Sequence, residues 1–135
     1  MKIAICGSIK FYDEMLVAKD KLEKLGHKVL MPVKAQGVDY WEEDNTKRIE
    51  AEKKFEFIGE HLDKIEKSDA VLVVNVTKKE IKNYIGANTF LEIGFAYYRK
   101  KKIYALNSLP NQPYIIDELL TFEPIVLNGN YKAIK

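Results

Sequence analysis

Short apolar runs alternate along the chain with longer segments whose apolar residues recur at helical spacing. Five runs rich in Val, Ile and Leu are predicted to be strands, at residues 2–6, 27–31, 70–76, 102–107 and 124–128. The first, third and fourth runs are nearly continuous rather than alternating, which is typical of parallel strands that are covered on both faces. The pattern therefore predicts a parallel sheet buried between helices.

Helical spacing predicts connecting helices over residues 11–25, 55–65, 90–99 and 114–120. Gly26 follows the first of these as a natural helix stop. The polar segment 42–54 has two open interpretations, a solvated helical extension or a mobile flap. The alternation of strands and helices predicts one α/β domain over residues 1–135. Its fold is a doubly wound (flavodoxin-like) five-stranded parallel sheet in the order 2-1-3-4-5, with helices on both faces.

Composition and charge exclude several classes of protein. The 135 residues include 22 Lys or Arg and 20 Asp or Glu, a formal net charge of +2, so neither a nucleic-acid partner nor an acidic membrane is expected. The single cysteine, Cys6, excludes an internal disulfide and a multi-cysteine zinc site. No apolar run approaches the ~20 residues of a membrane span. A strand pattern begins at once, so we expect a cytoplasmic protein without a signal peptide.

The loop after the first strand contains a candidate anion site. In this fold, ligands bind beyond the carboxyl ends of the strands where the winding reverses, here between the first and third strands. Gly7 allows close backbone approach, Ser8 offers a hydroxyl and Lys10 offers a positive charge, so a phosphate is one possible ligand. The alternative is a tight turn in which Ser8 caps the following helix.

The segment after the third strand contains a candidate nucleophile, Glu92. Thr89 and Glu92 have the spacing of a capping box, in which the glutamate only returns a hydrogen bond to the helix start. The same position suits a nucleophile, because a carboxylate in a first helical turn would open onto the crevice. Both interpretations remain open at this stage.

Asparagines follow three of the predicted strands. Asn75, Asn107 and Asn128 fall at carboxyl ends, where amides can both donate to and accept from a ligand, although they can also terminate strands locally. Asp69 begins the third strand at the opposite end of the sheet, so we interpret it as a boundary residue rather than a catalyst.

Three segments form a recognisable combination: Gly7-Ser8-Ile9, the strand that follows Asp69, and a Gly-x-x-Thr-x-x-Glu-x-Gly-x-Ala pattern at residues 86–96. Together they resemble the nucleoside 2-deoxyribosyltransferase superfamily, which includes the 2′-deoxynucleoside 5′-phosphate N-hydrolases. The resemblance implies cleavage or transfer of the N-glycosidic bond of a (deoxy)nucleoside or its 5′-monophosphate. It implies that Glu92 attacks C1′ to form a glycosyl-enzyme. It also implies no metal or organic cofactor, and a homodimer or higher homo-oligomer whose neighbouring subunit completes each pocket.

The resemblance also implies residue roles. Ser8 and Lys10 match phosphate-side positions, although Lys10 stands where relatives have arginine. His61 stands where relatives carry an aspartate that positions or protonates the base, a role that its near-neutral unperturbed pKa would suit; the alternative is a surface histidine. The expected substrate-binding residues are Gly7, Ser8, Lys10, Gly86, Asn88, Asn75 and Asn107. A non-catalytic nucleotide-binding or regulatory module on the same fold is the alternative function, and it would have no use for a nucleophile.

Overall fold

The computed structural model describes residues 1–135 and contains five parallel strands in one sheet and a separate antiparallel pair. The strands are β1 (Lys2–Cys6), β2 (Lys28–Leu30), β3 (Ala70–Val73), β4 (Val76–Lys78), β5 (Ile81–Tyr84), β6 (Lys102–Ala105) and β7 (Ile125–Val126). The main sheet has the order β2-β1-β3-β6-β7, and every neighbouring pair is parallel. With the separate β4–β5 pair set aside, this is the predicted order 2-1-3-4-5, which is confirmed.

Helices cover both faces of the sheet. They are α1 (Tyr12–Lys24), α2 (Thr46–Phe55), α3 (Phe57–Glu66), α4 (Ala87–Tyr98) and α5 (Ile116–Phe122), with short 3-10 turns at Ile9–Phe11 and Tyr131–Ala133. Alternate residues of each strand face opposite sides. Ile3 and Ile5 of β1 therefore pack with Met15 of α1, whereas Ala4 packs in a second cluster with Ile93 of α4. No helix is both long and apolar enough to cross a bilayer.

The boundaries of α1 follow the predicted signals. Met15, Ala18 and Leu22 recur at helical spacing and are fully buried against the sheet. Gly26 has a φ of +91°, a left-handed conformation that costs glycine little. The predicted helix stop is confirmed.

Most of the polar segment 42–54 is helical rather than a flap. Its residues 46–54 belong to α2, which has no buried residue, so the interpretation as a solvated helix is confirmed for them, whereas residues 42–45 precede the helix. The helix predicted over 55–65 does not continue from it without a break, because Glu56 has a φ of 52° and separates α2 from α3. Oε1 of Glu52 accepts a hydrogen bond from the Ile58 backbone N–H at 2.6 Å and joins the two helices across this kink.

The third strand ends earlier than predicted. β3 stops at Val73, and the chain then forms the antiparallel hairpin of β4 and β5, which the sequence did not predict. Its turn contains Lys79 with a φ of 53°, where Gly or Asn is the usual residue. The hairpin therefore lacks the dipeptide that normally signals one.

Candidate active site

A cavity of about 500 Å³ opens beside the loop that follows β1, a volume suited to a small-molecule ligand. Its walls come from that loop, from α2 and α3, and from the first two turns of α4. The structure brings together seven predicted site residues along its lining: Gly7, Ser8, Lys10, His61, Gly86, Asn88 and Glu92. Gly7 and Glu92, 85 positions apart in sequence, thus meet at the predicted edge of the sheet.

Two predicted site residues lie outside the cavity lining. Asn75 is fully buried, and its Nδ2 donates to the carbonyl oxygens of Asn107 at 2.9 Å and Ser108 at 3.1 Å. Asn107 returns two bonds, from its backbone N–H to Oδ1 of Asn75 and from Nδ2 to the Asn75 carbonyl. These amides join the segments that follow β3 and β6, so their donors are already occupied within the protein.

Glu92 does not form the capping box. Gly86 is the N-cap of α4, so Thr89 is the third helical residue and is buried, and Glu92 is the sixth, within the second turn. The capping-box interpretation is wrong because the helix starts three residues earlier than that motif requires. The carboxyl group of Glu92 faces the cavity instead, with only 12% of the side chain exposed.

Burial raises the pKa of Glu92 to about 8. Contact with the Cys6 thiol opposes this shift, and the nearby negative charge of Glu52 adds to it. The same surroundings raise the pKa of the fully buried Cys6, mainly through burial. The Glu92 carboxyl is therefore mostly protonated at pH 7 in the free protein, a perturbation of the kind that concentrates at functional sites.

His61 is buried next to Glu92. Its Nε2 donates to the carbonyl oxygen of Ile5 at 2.9 Å, which assigns the only N–H of the neutral ring, and its Nδ1 has no partner. Burial lowers the pKa of His61 to about 4. This pKa is far below the near-neutral unperturbed value that would suit the predicted role. The alternative of a surface histidine is wrong, because only 3% of the residue is exposed.

Cys6, His61 and Glu92 form a compact cluster beneath the cavity. One donor atom from each lies within 4.8 Å of the others, which is close enough to surround a metal ion. However, Nε2 of His61 is already bonded to a backbone carbonyl, and burial disfavours the Cys6 thiolate that a metal would require. The donor set does not fit a metal without breaking an existing bond.

Cations gather at the cavity. Lys10 and Arg48 line it, and the close ammonium of Lys78 lowers the pKa of Lys10 to about 8, with smaller contributions from burial, Arg48 and Lys79. Nζ of Lys10 also lies 5.3 Å from the ring centre of Trp41. This concentration of positive charge is suited to an anionic ligand.

The Gly7–Ser8 turn leaves the Ser8 hydroxyl available, whereas the Ser8 carbonyl accepts the Phe11 N–H. A Cβ on Gly7 would lie 3.0 Å from Sδ of Met15 and 3.2 Å from the Val74 carbonyl oxygen, so close packing requires glycine there. Ser8 makes no cap hydrogen bond with its side chain, so the predicted capping role is wrong. A Cβ on Gly86 would lie 3.1 Å from the Tyr84 hydroxyl, so this glycine lets the tyrosine lie over the start of α4.

Sequence reasoning missed Arg48 and Glu52, which line the cavity from α2. They lie four residues apart and therefore on one face of the helix. Their segment is almost wholly polar, and it contains no apolar stripe from which the inward face could be read. Lys78 was missed because the hairpin that carries it was not predicted.

Comparison with known proteins supports the fold. No protein-family model matches the chain, and no curated protein matches it by sequence. Among solved structures, the chain is similar to the CMP N-glycosidase BcmB of Clostridium botulinum, with a TM-score of 0.53 and 17% identity over 93% of this chain and 85% of that one.

A second similar structure is a 2-deoxyribosyltransferase from Bacillus psychrosaccharolyticus. Its TM-score is 0.55, with 17% identity over 78% of this chain and 72% of that one. Both likenesses extend over most of the chain, and at this identity they establish the shared fold. One neighbour is named as an N-glycosidase of CMP, and the other as a 2-deoxyribosyltransferase.

Proposed function

We propose that this protein cleaves or transfers the N-glycosidic bond of a nucleoside 5′-monophosphate, with Glu92 as the nucleophile. The observation that carries the proposal is the position of Glu92, whose carboxyl group is buried at a cavity that is also lined by Ser8, Lys10 and Arg48. Such a cavity combines a carboxyl group for an anomeric carbon with cations for a phosphate. The names of the two structural neighbours agree with this chemistry.

The reaction proceeds in two displacements. The ionised Glu92 carboxylate attacks C1′ as the C1′–N bond breaks, and the bond electrons leave with the base. Negative charge close to C1′ stabilises the oxocarbenium-like transition state. Water, or a second nucleobase, then attacks C1′ and releases the Glu92 carboxylate. The access of water to the glycosyl-enzyme determines whether hydrolysis or transfer follows.

The 5′-phosphate interacts with the cationic part of the cavity. Lys10 and Arg48 supply charge, Ser8 supplies a free hydroxyl, and the first-turn N–H groups of α4 lack helical partners. Arg48 also donates to the Glu42 carbonyl, which keeps its guanidinium in place. A phosphate dianion would relieve the repulsion between Lys10 and Lys78, so its binding is favoured over that of an uncharged ligand.

A substrate panel tests the proposal. The protein is incubated with ribo- and deoxyribonucleosides and their 5′-monophosphates, beginning with CMP, and free base is measured by chromatography with and without an acceptor base. We expect base release from at least one monophosphate, and its loss in Glu92→Gln and Glu92→Ala while ligand binding largely remains. Absence of base release from every member contradicts the proposal.

One observation favours a second candidate function, a nucleotide-binding module without catalysis. Because burial raises the pKa of Glu92 to about 8, its carboxyl is a hydrogen-bond donor at neutral pH rather than a ready nucleophile. A protein of this kind binds a nucleotide in calorimetry, and Glu92→Gln preserves that binding, but the wild type releases no base. The panel and the binding measurement together distinguish the two.

A further inference from the structure

Departure of a nucleobase needs a proton, and attack by water needs a base, so a second acid–base group is required beside the nucleophile. His61 is poorly suited to this role, because its only N–H is bonded to the Ile5 carbonyl and its ring is uncharged at neutral pH. Among the residues that line the cavity, Glu52 is the one carboxyl group besides Glu92.

The structure holds Glu52 in a defined position. It lies on α2, and its Oε1 accepts the Ile58 N–H at 2.6 Å across the left-handed residue Glu56, so the start of α3 fixes the carboxyl group. Oε2 has no partner within the protein and is available to a ligand. The charge of Glu52 reaches Glu92, because it contributes to the raised pKa of that residue.

We propose that Glu52 is the general acid–base of this site, the second carboxyl group of a glycosidase-type pair with Glu92. The inference rests on the proposed function. The pair holds one proton, which lies on Glu92 in the free protein and must move to Glu52 in the active form, so that Glu92 is ionised when it attacks. A hydrogen bond from Glu52 to a base nitrogen or carbonyl makes it a catalytic residue in this scheme.

The proton balance closes over the two steps. In the first, Glu92 forms a bond to C1′, the C1′–N bond breaks, and the Glu52 proton moves to the departing base. In the second, Glu52 takes a proton from water as the water oxygen bonds to C1′ and the Glu92–C1′ bond breaks. Glu52 is protonated again and Glu92 is ionised, so neither a metal nor a cofactor takes part.

Charged and titratable groups of several elements surround this pair. Lys10 comes from the β1 loop and Arg48 from α2, whereas His61 of α3 and Cys6 of β1 are neutral there. Arg48 lies one helical turn before Glu52, on the same face of α2, and both line the cavity. Glu52 on α2 and Glu92 on α4 thus reach the cavity from two different helices.

Glu52→Gln tests the proposal, with Glu50→Gln as a matched control on the exposed part of the same helix. The glutamine retains an oxygen for the Ile58 N–H, so α2 and α3 remain joined, which a melting temperature verifies. With the nucleotide found by the panel, we expect Glu52→Gln to lower kcat by roughly 10²–10⁴-fold. Glu50→Gln is expected to leave kcat unchanged.

The 4-nitrophenyl glycoside of the same sugar phosphate separates catalysis from packing. Its leaving group departs without a proton, so Glu52→Gln retains a rapid burst of one nitrophenolate per active site, followed by slow turnover. Glu92→Gln gives no burst. A wild-type kcat in Glu52→Gln overturns the proposal, and so does a burst lost in parallel with nucleotide cleavage, which indicates a structural role.

The pH dependence of the wild-type kcat tests the proposal without a variant that could fail to fold. Because one proton must remain on the Glu52–Glu92 pair, kcat at saturating substrate must fall on both the acidic and the alkaline side. A kcat that stays level up to about pH 10 overturns the proposal. If the wild type releases no base from any substrate, it is the proposed function that fails, whereas activity with an unaffected Glu52→Gln removes only this inference.

Discussion

Nε2 of His61 lies 4.0 Å from Oε2 of Glu92, yet its proton is donated to the carbonyl oxygen of Ile5 at 2.9 Å. The two side chains are therefore neighbours without being an ion pair, since burial holds the imidazole neutral and the carboxyl protonated at pH 7. Two titratable groups are kept uncharged side by side beneath the cavity. Their burial makes the stability of the fold depend on pH in opposite directions.

The His61 contribution decreases in acid. Its folded pKa of about 4 is below the unfolded value of about 6.5, so the unfolded chain binds the extra proton first. The stabilisation is present above about pH 6.5 and is lost as the pH falls towards 4. We expect the destabilisation caused by His61→Asn to be smaller at pH 4.5 than at pH 7 in urea unfolding. Equal effects at both pH values would contradict the assigned neutral state.

The Glu92 contribution has the opposite sign. Its folded pKa of about 8 is above the unfolded value, so the unfolded chain loses its proton first and stability decreases as the pH rises from about 4.5 to 8. Glu92→Gln removes this cost. We expect its free energy of unfolding, relative to wild type, to rise by about 1 kcal/mol per pH unit over that range.

Glu60→Gln removes the same charge at an exposed residue of α3 and serves as the control. Its free energy of unfolding relative to wild type should not rise comparably with pH. A wild-type and Glu92→Gln pair with parallel pH dependence would mean that the Glu92 carboxyl is ionised in the free protein. The gain in stability expected for Glu92→Gln is typical of a functional-site residue, because the burial of such a residue serves function and lowers the stability of the fold.

The sheet was predictable from sequence because its signals are local. Near-continuous apolar runs mark strands such as β3, and alternation with helices fixes the winding order, which the structure confirms. The Gly7 turn and Glu92 of α4 were also predicted because each belongs to a short local sequence motif. Contacts that depend on irregular backbone could not be predicted. They include the bond from Ile58 to Glu52 across the left-handed Glu56, and the position of Lys78 next to the left-handed Lys79.

The burial of individual side chains, such as that of His61, could not be predicted from the sequence either. Nothing in residues 57–66 distinguishes a buried neutral His61 from an exposed one, because its state depends on the carbonyl of Ile5 and on the covering by α4. Asn107 and Ser108 follow β6, and both are bonded to Asn75 within the chain. The homo-oligomer, whose neighbouring subunit would complete each pocket, stays a prediction.

The cation cluster is expected to select for the phosphate. Lys10→Met removes a charge-assisted hydrogen bond, so we expect KM for a nucleoside 5′-monophosphate to rise by about 10-fold or more. The corresponding nucleoside should be cleaved with an unchanged KM. Lys82→Met, an exposed change on β5, is the control. An equal effect of Lys10→Met on nucleotide and nucleoside would mean that Lys10 does not contact the phosphate.

Three glycines provide a test of packing around the site. At Gly7 a new Cβ meets Sδ of Met15 at 3.0 Å and the Val74 carbonyl at 3.2 Å, and the carbonyl belongs to backbone that cannot easily move. At Gly59 of α3 and Gly94 of α4 a Cβ meets nothing within 4 Å. We therefore expect Gly7→Ala to lower the free energy of unfolding by about 1–3 kcal/mol. Gly59→Ala and Gly94→Ala should raise it by up to about 1 kcal/mol each, because alanine restricts the unfolded chain and favours the helix.

Thermal and urea unfolding of the three variants measure these differences directly. Gly94 lies two residues beyond Glu92, on the opposite side of α4 and outside the cavity lining. We therefore expect Gly94→Ala to increase stability without changing activity, because the glycine there only reduces helix propensity. Destabilisation by Gly94→Ala would contradict the open surroundings that the structure gives this residue.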